Sequence, residues 1–362
     1  MRLPVIAVEG SRSALREALP EVPTAFGADG VPLLADARGR AYSYLRLSVT
    51  DRCDLACVYC MPPSGEEDHA VHAELLSFEE VVRVVDVFTR MGVRRVRLTG
   101  GEPLVRKDIV RLVEMVAANS RVEDLVLTTN ATRLAELATP LRLAGLRGVN
   151  VSLDTLEHDR FERITRGGEL TRVLAGVHAA LRAGLHVKLN TVPLRGENDD
   201  ELGAIVDWAW SLGITPRFIE LMPLGEGAAI HDERFMAVED VRASLGARLE
   251  AAPLLREGMH KGPARYAAAA NGSGRRVGFI SAISGNFCDD CNRIRVTARG
   301  DIRACLATRR AVSLRDVLRS GGDERDLAWA IHWSLLGKDA GHHFLERAVR
   351  EHTHVGMSLI GG

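Results

Sequence analysis

The sequence predicts an α/β protein built on an incomplete (β/α)6, TIM-like barrel. β-like and helix-like runs alternate from Tyr44 to about Met222, and the early strand runs each carry one polar, basic face. The runs that read as strands are Tyr44 to Val49, Arg94 to Thr99, Leu125 to Thr129, Val149 to Leu153, Val187 to Val192 and Thr215 to Leu221. Side chains alternate with period two along a strand, so Tyr44, Arg46 and Ser48 share one face of the first and Leu45, Leu47 and Val49 the other. The second sets Arg95, Arg97 and Thr99 against Val96 and Leu98. The fourth sets Asn150, Ser152 and Asp154 against Val151 and Leu153, and the fifth sets His186, Lys188 and Asn190 against Val187 and Leu189. A parallel sheet covered on both sides would read as continuous apolar runs. With helices on the apolar face, the polar face must line a lumen, and cations there need an anionic ligand. The alternative is a solvent-exposed antiparallel sheet, which the helical segments between the strands disfavour. The sixth run fits this pattern less well, since Arg217 and Glu220 fall on opposite faces.

Between the strands the clearest helix begins at Ser77, where Ser and, three residues on, Glu80 form a capping box ahead of Val81, Val82, Val84 and Val85. Another is expected to start near Asn198, with Asp199 and Asp200 in its first turn. Residues 1–40 show no sustained periodicity and read as an extension with a mobile tip. The barrel is expected over 41–224 and a C-terminal region over 225–362. In that region the Gly-rich stretch Asn271 to Gly274 leads into short β-like runs near Val277 to Ile283 and Ile294 to Val296.

The chain has 362 residues, 47 Lys+Arg against 48 Asp+Glu, and a net charge of −1. That balance argues against nucleic-acid binding through a generally basic surface. No run approaches the roughly 18 apolar residues of a membrane helix, and no secretory pattern opens the chain, so a cytoplasmic protein is expected. In that compartment the six cysteines are better metal ligands than disulfides.

Cys53, Cys57 and Cys60 form a C-x3-C-x2-C run on the loop leaving the first strand. Three thiolates can hold three irons of a [4Fe–4S] cluster and leave the fourth open to a small molecule. The alternative is zinc with a distant fourth ligand, although the spacing is unusual for it. Cys288, Cys291 and Cys305 form a second triplet, C-x2-C-x13-C, which by itself also fits a zinc ribbon completed by a histidine. Beside the first triplet it reads as a second iron–sulfur cluster. The pairs His342-His343 and His352-x-His354 read as surface histidines.

The cysteine run with Tyr59 before its last Cys, and Gly100-Gly101-Glu102-Pro103 after the second strand, resemble the motifs of radical S-adenosylmethionine enzymes. The string from Leu45 to Cys53, the segment Cys288-x2-Cys291-Asn292-Arg293-Ile294-Arg295, Cys305 and the terminal Gly361-Gly362 narrow the resemblance. They are similar to the MoaA-type family that acts on GTP at the start of molybdenum cofactor biosynthesis. The resemblance implies two [4Fe–4S] clusters, S-adenosylmethionine contacts at Tyr59, Gly101, Ser152 and Met222, and GTP contacts at Arg46, Arg97, Thr128, Lys188, Arg293 and Arg295. Arg95, Arg217, Gly361 and Gly362 are further candidates. It also implies a flavodoxin- or ferredoxin-like electron donor, delivery of the product to cyclic pyranopterin monophosphate synthase, and a homodimer as a candidate assembly. The sequence departs from the family pattern at Val355, where an Arg often precedes the Met, and at Lys338-Asp339, in place of Lys-Pro.

Overall fold

The computed structural model describes residues 25–26, 32–64, 69–257, 262–307, 311–336, 338–342, 344 and 357–360. The described residues form fourteen strands, β1 to β14 in chain order. β1 (Ala25–Phe26) and β2 (Pro32–Leu33) pair with each other. The parallel core comprises β3 (Tyr44–Ser48), β4 (Arg95–Thr99), β5 (Asp124–Thr129), β6 (Gly148–Ser152), β7 (His186–Thr191) and β8 (Thr215–Ile219). The last six strands are β9 (Leu255–Arg256), β10 (Arg265–Ala268), β11 (Arg276–Ile280), β12 (Arg293–Val296), β13 (Asp301–Arg303) and β14 (Val312–Ser313). The twelve strands β3 to β14 form one sheet in the order β14-β13-β12-β3-β4-β5-β6-β7-β8-β11-β10-β9, open among the described residues between β14 and β9. This is an incomplete barrel.

Among the described residues after 225, no strand builds a separate sheet. β11 adds parallel to β8, and β12 adds parallel to β3, so the C-terminal region extends both edges of the barrel. Antiparallel hairpin strands then flank each edge.

The apolar strand face packs as the alternation requires. Leu45, Leu47, Val96, Leu98, Leu127, Val149, Val151 and Leu189 lie in one buried cluster with helix residues such as Val81, Val84, Leu112, Val116, Val173 and Ile205. The opposite face is joined across strands by register: Arg295 pairs with Arg46, Arg46 with Arg97, Asn150 with Lys188, and Asn190 with Arg217, which pairs in turn with Gly278. Arg217 therefore belongs to the polar face. Its mismatch with Glu220 disappears because β8 ends at Ile219, and period two does not carry past the end of a strand.

The helix Phe78–Arg90 starts where its capping box places it: the Glu80 amide donates to Ser77 Oγ at 3.1 Å and the Ser77 amide to Glu80 Oε2 at 2.7 Å. Ser77→Ala is expected to cost about 1 kcal/mol in a urea unfolding titration, and an unchanged midpoint would show that the box is redundant. The helix expected from Asn198 begins instead at Leu202. Asn198 is fully buried and is spent on the turn before it: its amide donates to the Asp154 and Val192 carbonyls and its Oδ1 accepts from the Leu194 amide. Leu34 and Tyr42 also join the core, and the Leu34 amide donates to the Met91 carbonyl at 2.8 Å. Among the described residues no helix is long and apolar enough to cross a membrane.

Candidate active site

All six cysteines are free, partly buried, and open into one cavity of about 350 Å3 enclosed by the polar sheet face. The first triplet sits on the loop that leaves β3, beyond the C-terminal ends of the parallel strands, where such barrels place their sites. This loop is pinned from outside. The Ala56 and Val58 amides donate to the Thr165 and Ile164 carbonyls, and Arg166 Nη1 donates to the carbonyls of Ala56 and Met61 at 3.1 and 2.6 Å. The glycines after β4 press on the same loop: the Gly101 amide donates to the Thr50 carbonyl at 2.9 Å, and a Cβ at Gly101 would lie 2.4 Å from the Arg52 carbonyl oxygen. No larger residue fits there.

Tyr59 donates from its hydroxyl to Asp154 Oδ2 at 2.6 Å. Burial pushes the Asp154 carboxyl up to about 6, although the bonds from Tyr59 and the Val192 amide oppose the shift. Glu102 is almost fully buried and accepts from the Leu104 and Asn130 amides and the Thr129 hydroxyl. Its carboxyl is raised to about 7 by burial, against those hydrogen bonds. Ser152 at the end of β6 and Met222 just after β8 line the cavity beside this group. Burial raises the Cys53 thiol to about 12 and the Cys57 thiol well above its usual value. Thiolates here call for a metal centre to compensate their charge.

The second triplet closes the opposite side. Burial alone would raise Cys291, but Arg293 and Lys338 outweigh it and bring the thiol down to about 6. Lys338 Nζ lies 3.6 Å and Arg293 Nη2 3.8 Å from its sulfur. Cys288 and Cys305 line the same wall, and burial raises Cys288.

Between the triplets lies the row of cations. Arg97 donates to Thr128 Oγ1 at 3.1 Å and to the Tyr44 hydroxyl. Burial would raise Tyr44, yet Arg97, Arg95 and Arg46 pull it down to about 7. Burial is the leading cause for Arg46, held well below the usual arginine value with Arg295 adding to the shift, and for Arg217 and Arg295, each lowered to about 10. Burial, then Arg217, lowers Lys188 to about 8, while Glu257 works against them. Gly278 makes room for this packing, because a Cβ there would lie 2.7 Å from Arg217 Cγ and 2.8 Å from the Tyr266 ring. Crowded guanidinium groups repel one another and favour a polyanion among them.

The structure brings together Cys53, Cys57, Cys60, Cys288, Cys291, Cys305, Tyr59, Gly101, Ser152, Met222, Arg46, Arg95, Arg97, Thr128, Lys188, Arg217, Arg293 and Arg295 around one cavity. Gly361, Gly362 and Val355 lie outside the described residues. Of the tail histidines, His342 lines the cavity and stacks on Phe344 at 4.5 Å rather than lying on the outer surface; His343, His352 and His354 lie outside the described residues. Sequence reasoning did not assign Asp154, Asn190, Glu220 or Glu257 to the site, although all four line it. Asn190 carried a signal, since it falls on the polar alternation of β7, and Asp154 follows Asn150 and Ser152 in the same sequence pattern although β6 ends at Ser152. Glu220 and Glu257 stand outside strands and carried none.

An open parallel barrel with a cysteine triplet beyond its strand ends defines a radical S-adenosylmethionine enzyme. Residues 47–209 match the Radical SAM superfamily and residues 214–344 match Molybdenum Cofactor Synthesis C. The GTP 3′,8-cyclase of Heliobacterium modesticaldum is 45% identical over 333 residues, covering 91% of this chain and 100% of the relative. That of Caulobacter vibrioides is 42% identical over 334 residues, covering 91% and 94%. The chain belongs to the GTP 3′,8-cyclase family. Among solved structures, Streptococcus suis SuiB bound to S-adenosylmethionine shares the fold, with a TM-score of 0.55 and 16% identity over 74% of this chain and 60% of that one. The donor sets fit the family's cofactors: each side of the cavity offers three free thiols and no disulfide joins them.

Proposed function

We propose that the chain converts GTP to (8S)-3′,8-cyclo-7,8-dihydroguanosine 5′-triphosphate, the first committed chemistry of molybdenum cofactor biosynthesis. The row of buried cations lying between two cysteine triplets in one cavity carries this reading. In it Cys53, Cys57 and Cys60 hold the cluster that binds S-adenosylmethionine, and Cys288, Cys291 and Cys305 hold the one that faces the guanine base. Held there, the first cluster would supply the reductive cleavage of S-adenosylmethionine on which the radical cyclisation of GTP depends.

The chain's own groups orient and enclose the reactants. Tyr59, Gly101, Ser152 and Met222 bound the S-adenosylmethionine side. Arg46, Arg97, Lys188 and Arg217 offer fixed donors to the triphosphate, Thr128 holds Arg97 in place, and Arg293 and Arg295 flank the base side. Arginine gives paired donors to phosphate oxygens, while lysine gives a point charge. An electron donor of the flavodoxin or ferredoxin kind, transfer of product to cyclic pyranopterin monophosphate synthase, and a cytoplasmic location that keeps the thiols reduced complete the reading.

Metal analysis after anaerobic reconstitution tests it: about eight irons with matching sulfide per chain are expected, and zinc in place of iron would refute it. Incubation with GTP, S-adenosylmethionine and a low-potential reductant should then yield the cyclised triphosphate. Lys188, at about 8, adds a pH dependence. Its charged form is lost as pH rises through that value, so GTP affinity should fall between about pH 7 and about pH 9 with uptake of about one proton on binding. Calorimetry in buffers of different ionisation heat measures that proton; a flat profile would refute the dependence, and the same profile in Lys188→Arg would assign it to another group.

A further inference from the structure

Residues 36–42 run beside the second triplet and end in a buried group that the chemistry above does not use. Asp36 is 2% exposed, Arg40 7% and Tyr42 fully buried. The Asp36 carboxylate closes a small turn through Gly39 (φ 76°), accepting from the Arg38 and Arg40 amides at 2.9 and 3.0 Å. It also accepts from Arg40 Nε at 2.5 Å and from the Tyr42 hydroxyl at 2.7 Å. The turn is anchored to the barrel because the Tyr42 amide donates to the Leu34 carbonyl and the Leu34 amide to the Met91 carbonyl.

With Nε fixed on Asp36, the two Nη groups span two segments remote in sequence. Nη1 donates to the Cys288 carbonyl and to the Ala340 carbonyl, both at 3.1 Å, and Nη2 donates to the Asp339 carbonyl at 2.9 Å. Lys338, whose Nζ approaches Cys291, lies 4.5 Å above the Tyr42 ring. One planar fork thus holds the cysteine loop by its backbone on one side and the segment supplying Lys338 and His342 on the other.

We propose that Arg40, oriented by Asp36 and Tyr42, is a positioning residue that docks the Cys288–Cys291 loop and the Lys338–His342 segment against the barrel as one unit, and that occupancy of the second cluster depends on it. Only arginine has enough donors in a fixed plane to engage a carboxylate and three carbonyls at once; lysine can replace at most part of this. Its removal leaves three partly buried carbonyls without this donor and the buried Asp36 carboxylate without its cation. The inference rests on the assignment of Cys288, Cys291 and Cys305 to a cluster, and its test separates the two.

Arg40→Gln and Arg40→Lys are reconstituted anaerobically as full chains beside the parent. Iron per chain is expected to fall from about eight to about four in Arg40→Gln, with loss of the electron paramagnetic resonance signal of the second cluster and retention of the S-adenosylmethionine-induced change in the first. Arg40→Lys is expected to restore part of the lost iron, and it is read alone if Arg40→Gln does not fold. Hydrogen exchange on the same proteins should quicken by about tenfold or more over 286–292 and 338–342 and stay unchanged over the helix Phe78–Arg90. Full iron with unchanged exchange in both segments overturns the proposal, and so does uniform loss of protection throughout the barrel in Arg40→Lys. A parent chain with only about four irons would instead refute the second-cluster assignment, leaving the docking role to be decided by the exchange data.

Discussion

Cys291→Ala is expected to keep reductive cleavage of S-adenosylmethionine while abolishing conversion of GTP, whereas Cys57→Ala is expected to abolish both. The two thiols lie on opposite sides of one cavity. Cys57 belongs to the loop pinned by Arg166 and the Gly100-Gly101 turn, next to Tyr59 and Asp154. Cys291 sits with Arg293 and Lys338, on β12 and the C-terminal segment, and makes none of those contacts among the described residues. On the proposed assignment, damage at Cys291 would remove a ligand on the base side and leave the loop of the first triplet built. Chromatography of 5′-deoxyadenosine and of the cyclised triphosphate from the same reaction reads both steps. Loss of 5′-deoxyadenosine in Cys291→Ala, with iron at the first triplet intact, would refute this division of labour.

Arg46→Ala and Lys188→Ala should each weaken GTP binding by about 1.5 to 3 kcal/mol, roughly tenfold to a hundredfold, the range for hydrogen bonds to charged groups. Arg46 is the more demanding case. It lies between Arg295 and Arg97 in the register of β12, β3 and β4, so it faces the centre of the cationic row. Its removal also relieves repulsion among its neighbours in the free protein, which places its effect toward the lower end of that range. Lys188 has a carboxylate partner, Glu257, at 3.6 Å, which a triphosphate must displace. Equilibrium binding of GTP to the reconstituted protein checks both. Undiminished affinity in both variants would mean that the row does not hold the triphosphate, and S-adenosylmethionine affinity should be unchanged, since the residues proposed for it lie at or beyond the strand ends.

Much of the barrel was legible because its signals are local. Period-two alternation put Arg46, Arg97, Asn150 and Lys188 on one face without any knowledge of neighbouring strands, and the Ser77 to Glu80 pair marked a helix start from four residues. The same locality explains the errors. The acidic residues after Asn198 resembled a helix first turn, but Asn198 is committed to a carbonyl 44 residues earlier. Arg217 and Glu220 conflicted only because the strand was read two residues too long.

By itself the sequence determined the chemistry of this protein: two sets of three thiols, a glycine turn and a cationic strand face, each encoded by spacing along the chain. Tertiary structure decided that these parts share one cavity. β12 carries Arg293 and Arg295 to the edge of β3, and β11 carries Gly278 to the edge of β8, joining segments some 60 to 250 residues apart. Strand edges offer the same backbone donors and acceptors whatever their side chains, so a local pattern does not specify which edge a distant strand will meet. Arg40 depends on the same kind of long-range meeting, because its carbonyl partners lie 248 to 300 residues away and become neighbours only in the folded chain.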